Sequence, residues 1–213
     1  MGATGLTGNR LLQKLIDDDR YEHIKLFSRT KIEDLPEKVS QYIGDLFNLK
    51  DFKVDFKADE VYCCIGTTAK KTPNKKVYRQ IDYGIPVTAA QISKENGIPT
   101  FFVISAMGAN KNSKVFYNKT KGEMEQDVLR FNIKNSFILR PSLIGGKRNE
   151  SRLLEKIGLV VFKIIQPFFI GKLKKYKIIN ADSIAQAMLN LANSTSNADV
   201  IITSNDIERI SKN

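Results

Sequence analysis

Short apolar runs alternate along the chain with amphipathic stretches, and the two periodicities separate cleanly. "NRLLQKLIDDD" sets Leu11, Leu12, Leu15 and Ile16 at helical spacing, which predicts a helix beginning near Leu6. "HIKLFSR" reads as a strand ending at polar residues, and "EKVSQYIGDL" as another turning at Gly44–Asp45. "DEVYCCIGTT" is a continuous apolar run closed by Gly66, the pattern of a strand buried on both faces. "VYRQIDYGIPVTAAQISKENG" has helical length and stops at Asn96–Gly97, with Pro86 kinking it or setting its start. "PTFFVISAMGA" is again a buried strand and "SKVFYNKTKGEMEQDVLRF" a long helix. After them come a strand in "SFILRPSLIGG", a helix in "ADSIAQAMLNLAN" and a last strand in "DVIITSND".

Strand–helix alternation at this spacing predicts an α/β fold of βαβ units, a parallel sheet covered on both faces, in a single domain over 1–213. Ligands of such sheets sit at the carboxyl ends of the strands. The ends of the apolar runs carry Gly2–Gly8, Ser28–Arg29, Asp45, Gly66–Thr68, Ser105 and Pro141, and these become the candidate residues.

Composition changes the picture little. The chain is 42% hydrophobic and 27% charged, with no apolar stretch of the roughly 20 residues a membrane span needs. Cys63 and Cys64 are adjacent, poor geometry for a disulfide, and their apolar neighbours point to reduced thiols. No basic-then-apolar leader opens the chain, so a cytoplasmic location is expected. His23 is the only histidine, and with no spaced cysteines a metal site is not expected. Residues 147–177 carry +7 of the net +11. That segment could in principle meet nucleic acid or a membrane surface, and "IGLVVFKIIQPFFIG" (157–171) strengthens the membrane version. The favoured reading is a core helix or a lid over a hydrophobic pocket, within a substrate-side insertion at 143–180.

The chemistry lies elsewhere. Gly2, Gly5 and Gly8, followed at once by a helix and then a strand, match a dinucleotide loop. It needs a tight turn, a close backbone approach to pyrophosphate and close helix packing. An NAD-preferring fold places a carboxylate at the end of the second strand; here stand Ser28 and Arg29, a hydroxyl and a guanidinium suited to a 2′-phosphate, so NADP is favoured over NAD. Tyr117 and Lys121 lie four apart on a helix, where the ammonium would draw the phenol's pKa down from about 10 towards neutrality and let it trade a proton with a substrate oxygen. Tyr21 and Lys25 share the spacing but precede a strand, far from the ligand edge, and are read as coincidence. Ser105, at the end of its strand, could hydrogen-bond the same substrate oxygen, and Asp45 could accept from an adenine amino group.

"GATGLTG", "YCCIGTT", "ISAMGAN…YNKTKGEME" and "LRPSLIGGKRNESR", in this order, resemble the atypical short-chain dehydrogenase/reductases, in the subgroup of the human Tat-interactive protein and its bacterial relatives. The resemblance implies a Rossmann-type doubly wound sheet with a small C-terminal substrate-binding part. It implies that Gly2, Thr4, Gly5, Leu6, Thr7 and Gly8 form the phosphate loop, with Ser28 and Arg29 at the 2′-phosphate and Asp45 and Leu46 beside the adenine. Ile65, Gly66 and Thr67 would border the nicotinamide ribose, and Pro141 the nicotinamide. Tyr117 would be the acid/base, Lys121 would hold the ribose hydroxyls and Ser105 would polarise the carbonyl. One alternative serine register follows from Ala106, which stands where a second serine is expected. The family also places a strand of the type "LVLGATG" ahead of the loop; here Met1 alone precedes Gly2, so the first strand is expected to be missing and Met1 to mark its end. The leading function is NADP-dependent hydride transfer to or from a small carbonyl or alcohol substrate. The alternative is an NADP(H)-binding regulator or redox sensor with little turnover. A monomer and a dimer fit the sequence equally.

Overall fold

A computed structural model describes residues 1–145, 177–194 and 200–213. The basic and apolar segment 147–176, and with it most of the expected lid, lies outside the described residues.

The elements follow the apolar pattern. Helix α1 (Leu6–Asp17) leads to strands β1 (Ile24–Ser28) and β2 (Val39–Ile43), a 3-10 turn (Leu46–Phe52) and β3 (Glu60–Cys63). Then come α2 (Lys75–Arg79), a π-helical turn (Gln80–Gly84), α3 (Ile85–Glu95), β4 (Thr100–Ile104), α4 (Phe116–Arg130) and β5 (Asn135–Arg140). Short strands β6 (Ile144–Gly145) and β7 (Ile179–Asn180), α5 (Ala181–Ala192), β8 (Ile201–Thr203) and α6 (Ser204–Ile210) complete the described chain. Pro86 is the second residue of α3, directly after the π-helical turn.

Among the described residues all strand pairs are parallel. One sheet runs β3-β4-β5-β8 and a second pairs β1 with β2. Two apolar cores cover the faces. One holds Leu11, Leu12 and Leu15 of α1 with Ile184 and Met188 of α5 and Ile207 of α6; the other holds Ala89 and Ile92 of α3 with Met124 and Val128 of α4. Phe101 and Phe102, adjacent on β4, are both 0% exposed and face opposite cores, which is why this strand is apolar throughout. The order β2, β1, then β3, β4, β5 is that of a Rossmann sheet with one position between β1 and β3.

That position is a slot. A cavity of about 630 Å³ opens there, walled by Leu11 and Leu15 of α1, Ile24 and Leu26 of β1, and Val61 and Tyr62 of β3. Met1 sits at its carboxyl end: its ammonium donates to the Tyr62 carbonyl at 2.9 Å and its carbonyl accepts from the Cys64 amide at 3.1 Å. Those two bonds make one rung of a parallel ladder on β3, so Met1 stands where the expected first strand would end. Tyr21 and Lys25 also flank the slot, away from the ligand edge: the Tyr21 hydroxyl meets Glu60 and Tyr62 at 3.1 Å, and Lys25 donates to the Asp55 carbonyl.

Candidate cofactor and reaction site

The Gly2–Gly8 loop is shaped by contacts that only glycine permits. Gly2 has φ +80°, and a Cβ there would lie 2.6 Å from the Cys64 carbonyl oxygen. A Cβ on Gly8 would lie 2.1 Å from the Gly2 carbonyl oxygen. Inside this fold-back Gly5 donates to Gly2 at 2.9 Å, and Gly5 is the N-cap of α1 with no side chain capping the helix. The bond from Asn9 to the Gly5 carbonyl is the helix's first, which leaves the Leu6, Thr7 and Gly8 amides without partners inside α1. A turn of this shape, at the head of a 12-residue helix and at the sheet's switch point, fits the pyrophosphate of a dinucleotide.

Ser28 ends β1 and is buried, with its hydroxyl donating to the Thr30 carbonyl at 2.7 Å. Arg29, next in the chain, is exposed. The Ser28 carbonyl accepts from Gly44 at 3.0 Å, which brings Asp45 to the same rim. Asp45 caps the 3-10 turn, accepting from Phe47 at 3.0 Å, and Leu46 is buried beneath it.

On the other side of the loop, the segment after β3 meets α4. A Cβ on Gly66 would lie 3.9 Å from the Lys121 ammonium and 3.5 Å from an Asp82 carboxylate oxygen. Lys121 is 3% exposed; it forms an ion pair with Asp82 at 3.0 Å and donates to the Ile104 carbonyl at 3.1 Å. Asp82 also accepts from the Thr67 amide at 2.8 Å. Gly2, Ile65, Gly66, Thr67 and Lys121 are thus contiguous. Tyr117, one turn before Lys121, is 40% exposed and meets Tyr78 edge-on at 6.5 Å between ring centres. The anticipated drop in its pKa does not occur: burial raises the phenol above its ordinary value, Lys121 pulls it down by less, and Asp82 adds to the rise.

Ser105 is buried just beyond β4, with its amide donating to Leu139 at 2.7 Å and its hydroxyl to Glu125. Glu125 in turn takes two bonds from Arg140, at 2.9 and 2.5 Å. Pro141, after β5, is buried and accepts from the Met107 amide at 3.1 Å. Asp82, Glu125 and Arg140 are the residues sequence reasoning missed. Glu125 was findable, since Tyr117, Lys121 and Glu125 form an i, i+4, i+8 stripe along α4. Asp82 was not, because the π-helical turn that aims it at Lys121 has no signature in an apolar pattern.

These features define a Rossmann protein built to hold a pyridine dinucleotide. Residues 2–158 match the family of NAD(P)H-binding domains, and the chain belongs to it, in the atypical short-chain dehydrogenase/reductase branch. The mitochondrial protein FMP52 of Candida glabrata is 33% identical over 170 residues, 74% of this chain and 70% of that one. FMP52 of Debaryomyces hansenii is 31% identical over 160 residues, 71% and 68% of the two chains. HTATIP2 of Rattus norvegicus is 30% identical over 156 residues, 71% and 64%. Among solved structures, a UDP-glucose 4-epimerase from Thermotoga maritima superposes with a TM-score of 0.69 at 16% identity, covering 99% of this chain and 80% of its own. A monomeric L-threonine 3-dehydrogenase does so with 0.69 at 16%, covering 98% and 79%. The expectation of a cytoplasmic location is corrected by these relatives, several of which are mitochondrial proteins by name.

Proposed function

We propose that this protein is an NADP-dependent oxidoreductase acting on a small carbonyl or alcohol substrate. The observation that carries the reading is the meeting of three elements at one edge: the glycine fold-back, the Ile65–Thr67 segment and the Lys121 ammonium, 3.9 Å from where a Cβ on Gly66 would lie. The Leu6, Thr7 and Gly8 amides would hold the pyrophosphate, with Gly2, Thr4 and Gly5 shaping the loop around it. Arg29 reads the 2′-phosphate beside Ser28, Asp45 and Leu46 border the adenine, and Lys121 holds the ribose against Ile65, Gly66 and Thr67, with Pro141 by the nicotinamide.

When bound, the cofactor supplies or removes a hydride. In the reductive direction Tyr117 would give its proton to the substrate's carbonyl oxygen as the alcohol forms, and its phenolate would regain a proton from water. Ser105 polarises the carbonyl only by turning its hydroxyl away from Glu125. That commitment of the Ser105 proton is the one observation favouring the second reading, an NADP(H)-binding regulator with little turnover. A carbonyl-compound screen following NADPH absorbance separates the two. Consumption that falls at least about a hundredfold in Tyr117→Phe supports the enzyme, since general acid catalysis contributes roughly 10²–10⁴-fold. Tight NADPH binding without consumption supports the regulator.

A further inference from the structure

Asp82 is 1% exposed, and both of its carboxylate oxygens are engaged. One faces the Lys121 ammonium at 3.0 Å, the other accepts from the Thr67 amide at 2.8 Å. Stability alone is a poor reason for such a pair, because desolvating two charges costs about as much as their attraction returns. Its setting is unusual as well. The π-helical turn Gln80–Gly84 inserts an extra residue between α2 and α3, a device that concentrates at functional sites. That rod is tied to α4 at three points: Arg79 to Glu123, Asp82 to Lys121, and the Tyr83 hydroxyl to Asp127 at 2.6 Å. Two of these ties are peripheral; the central one reaches the site.

We propose that Asp82 is a positioning residue. Its carboxylate locks Lys121 and the Thr67 amide in place and balances the lysine's charge, so that Tyr117 faces a neutral pair rather than a bare cation and serves as a proton donor for carbonyl reduction. The inference rests on the reading of Tyr117 as the acid/base. The groups acting on Tyr117 are Lys121 on its own helix, Asp82 from the π-turn and Tyr78 from α2. Burial and Asp82 hold its proton on, while Lys121 opposes them.

The test is a pH titration of protein carrying ¹³C-labelled tyrosine, followed by NMR without cofactor, the Tyr117 resonance being the one lost in Tyr117→Phe. In Asp82→Asn the Lys121 cation is left uncompensated, and the Tyr117 midpoint falls by about one pH unit or more. A folded Asp82→Asn protein with an unmoved midpoint overturns the proposal. If Asp82→Asn does not fold, Asp82→Asn/Lys121→Met decides: a pair acting as a unit predicts a folded protein with a midpoint near the parental one. Failure of that double variant to fold, or a midpoint displaced by about a full pH unit, overturns the proposal equally. NADPH titration of the parent tests the cofactor reading separately. A shifted tyrosine in a protein that binds no NADPH sinks the function and leaves the electrostatic pairing standing.

Discussion

Glu125 and Arg140 are joined by two parallel hydrogen bonds, at 2.5 and 2.9 Å, with the carboxylate side chain only 5% exposed. The pair bolts α4 to the end of β5, and Ser105 leans on the same carboxylate from β4. Removing the acid leaves a guanidinium without its partner beside the core. Glu125→Ala is therefore expected to destabilise the protein by about 3 kcal/mol, the low end for a broken buried pair because Arg140 still reaches water. Urea unfolding checks this, and Glu125→Gln, which keeps one acceptor, should lose clearly less.

The phosphate loop predicts a sharper effect on binding than on folding. A Cβ on Gly8 would collide with the Gly2 carbonyl at 2.1 Å, backbone against backbone, and cannot be absorbed by a rotamer change. Gly8→Ala should lower NADPH affinity by more than about tenfold, the equivalent of 1.4 kcal/mol, while circular dichroism at room temperature stays close to the parental spectrum.

Arg29 predicts specificity. Hydrogen bonds to charged groups contribute about 1.5–3 kcal/mol. Arg29→Ala should thus weaken NADPH binding by roughly ten- to a hundredfold and leave NADH binding unchanged, as measured by nicotinamide fluorescence.

The two thiols predict an alkaline limit to stability. Burial pushes the Cys64 thiol up to about 12, and raises Cys63 as well. In the unfolded chain both ionise near their ordinary value of 9.0. The native state therefore holds more protons above that pH, and stability falls as pH rises. The Cys64 contribution is complete below about pH 9 and lost progressively towards pH 12. Urea midpoints should be level from about pH 7 to 8.5 and decline beyond, and Cys64→Ser should shallow the decline.

Much of this was readable from residue order. Continuous apolar runs gave the buried strands, because both faces of a parallel sheet are covered, and the glycine spacing gave the tight turn ahead of α1. The position between β1 and β3 could be anticipated from the family resemblance, since a strand central in such a sheet has neighbours on both sides. What stayed hidden was tertiary. Burial of the Tyr117 phenol outweighs the pull of Lys121 and reverses the pKa argument made from those two residues alone; Asp82, which pairs with Lys121 only because the π-turn packs on α4, adds to the rise. The engagement of Ser105 by Glu125 likewise needs β4, α4 and β5 brought together.

The slot itself is testable. Placing four apolar β-branched residues ahead of Met1 should continue the rung already formed on Tyr62 and Cys64. A net gain of only 1 kcal/mol raises Tm by about 2–4 °C in a chain of this size. A Gly–Ser extension of equal length should give no increase.

The most direct measurement is a fluorescence titration of the folded protein with NADPH and with NADH. Saturable binding of both, with NADPH at least about tenfold tighter, is the predicted result. A well-folded protein with no affinity for either nucleotide would contradict the cofactor site, and with it the proposed chemistry.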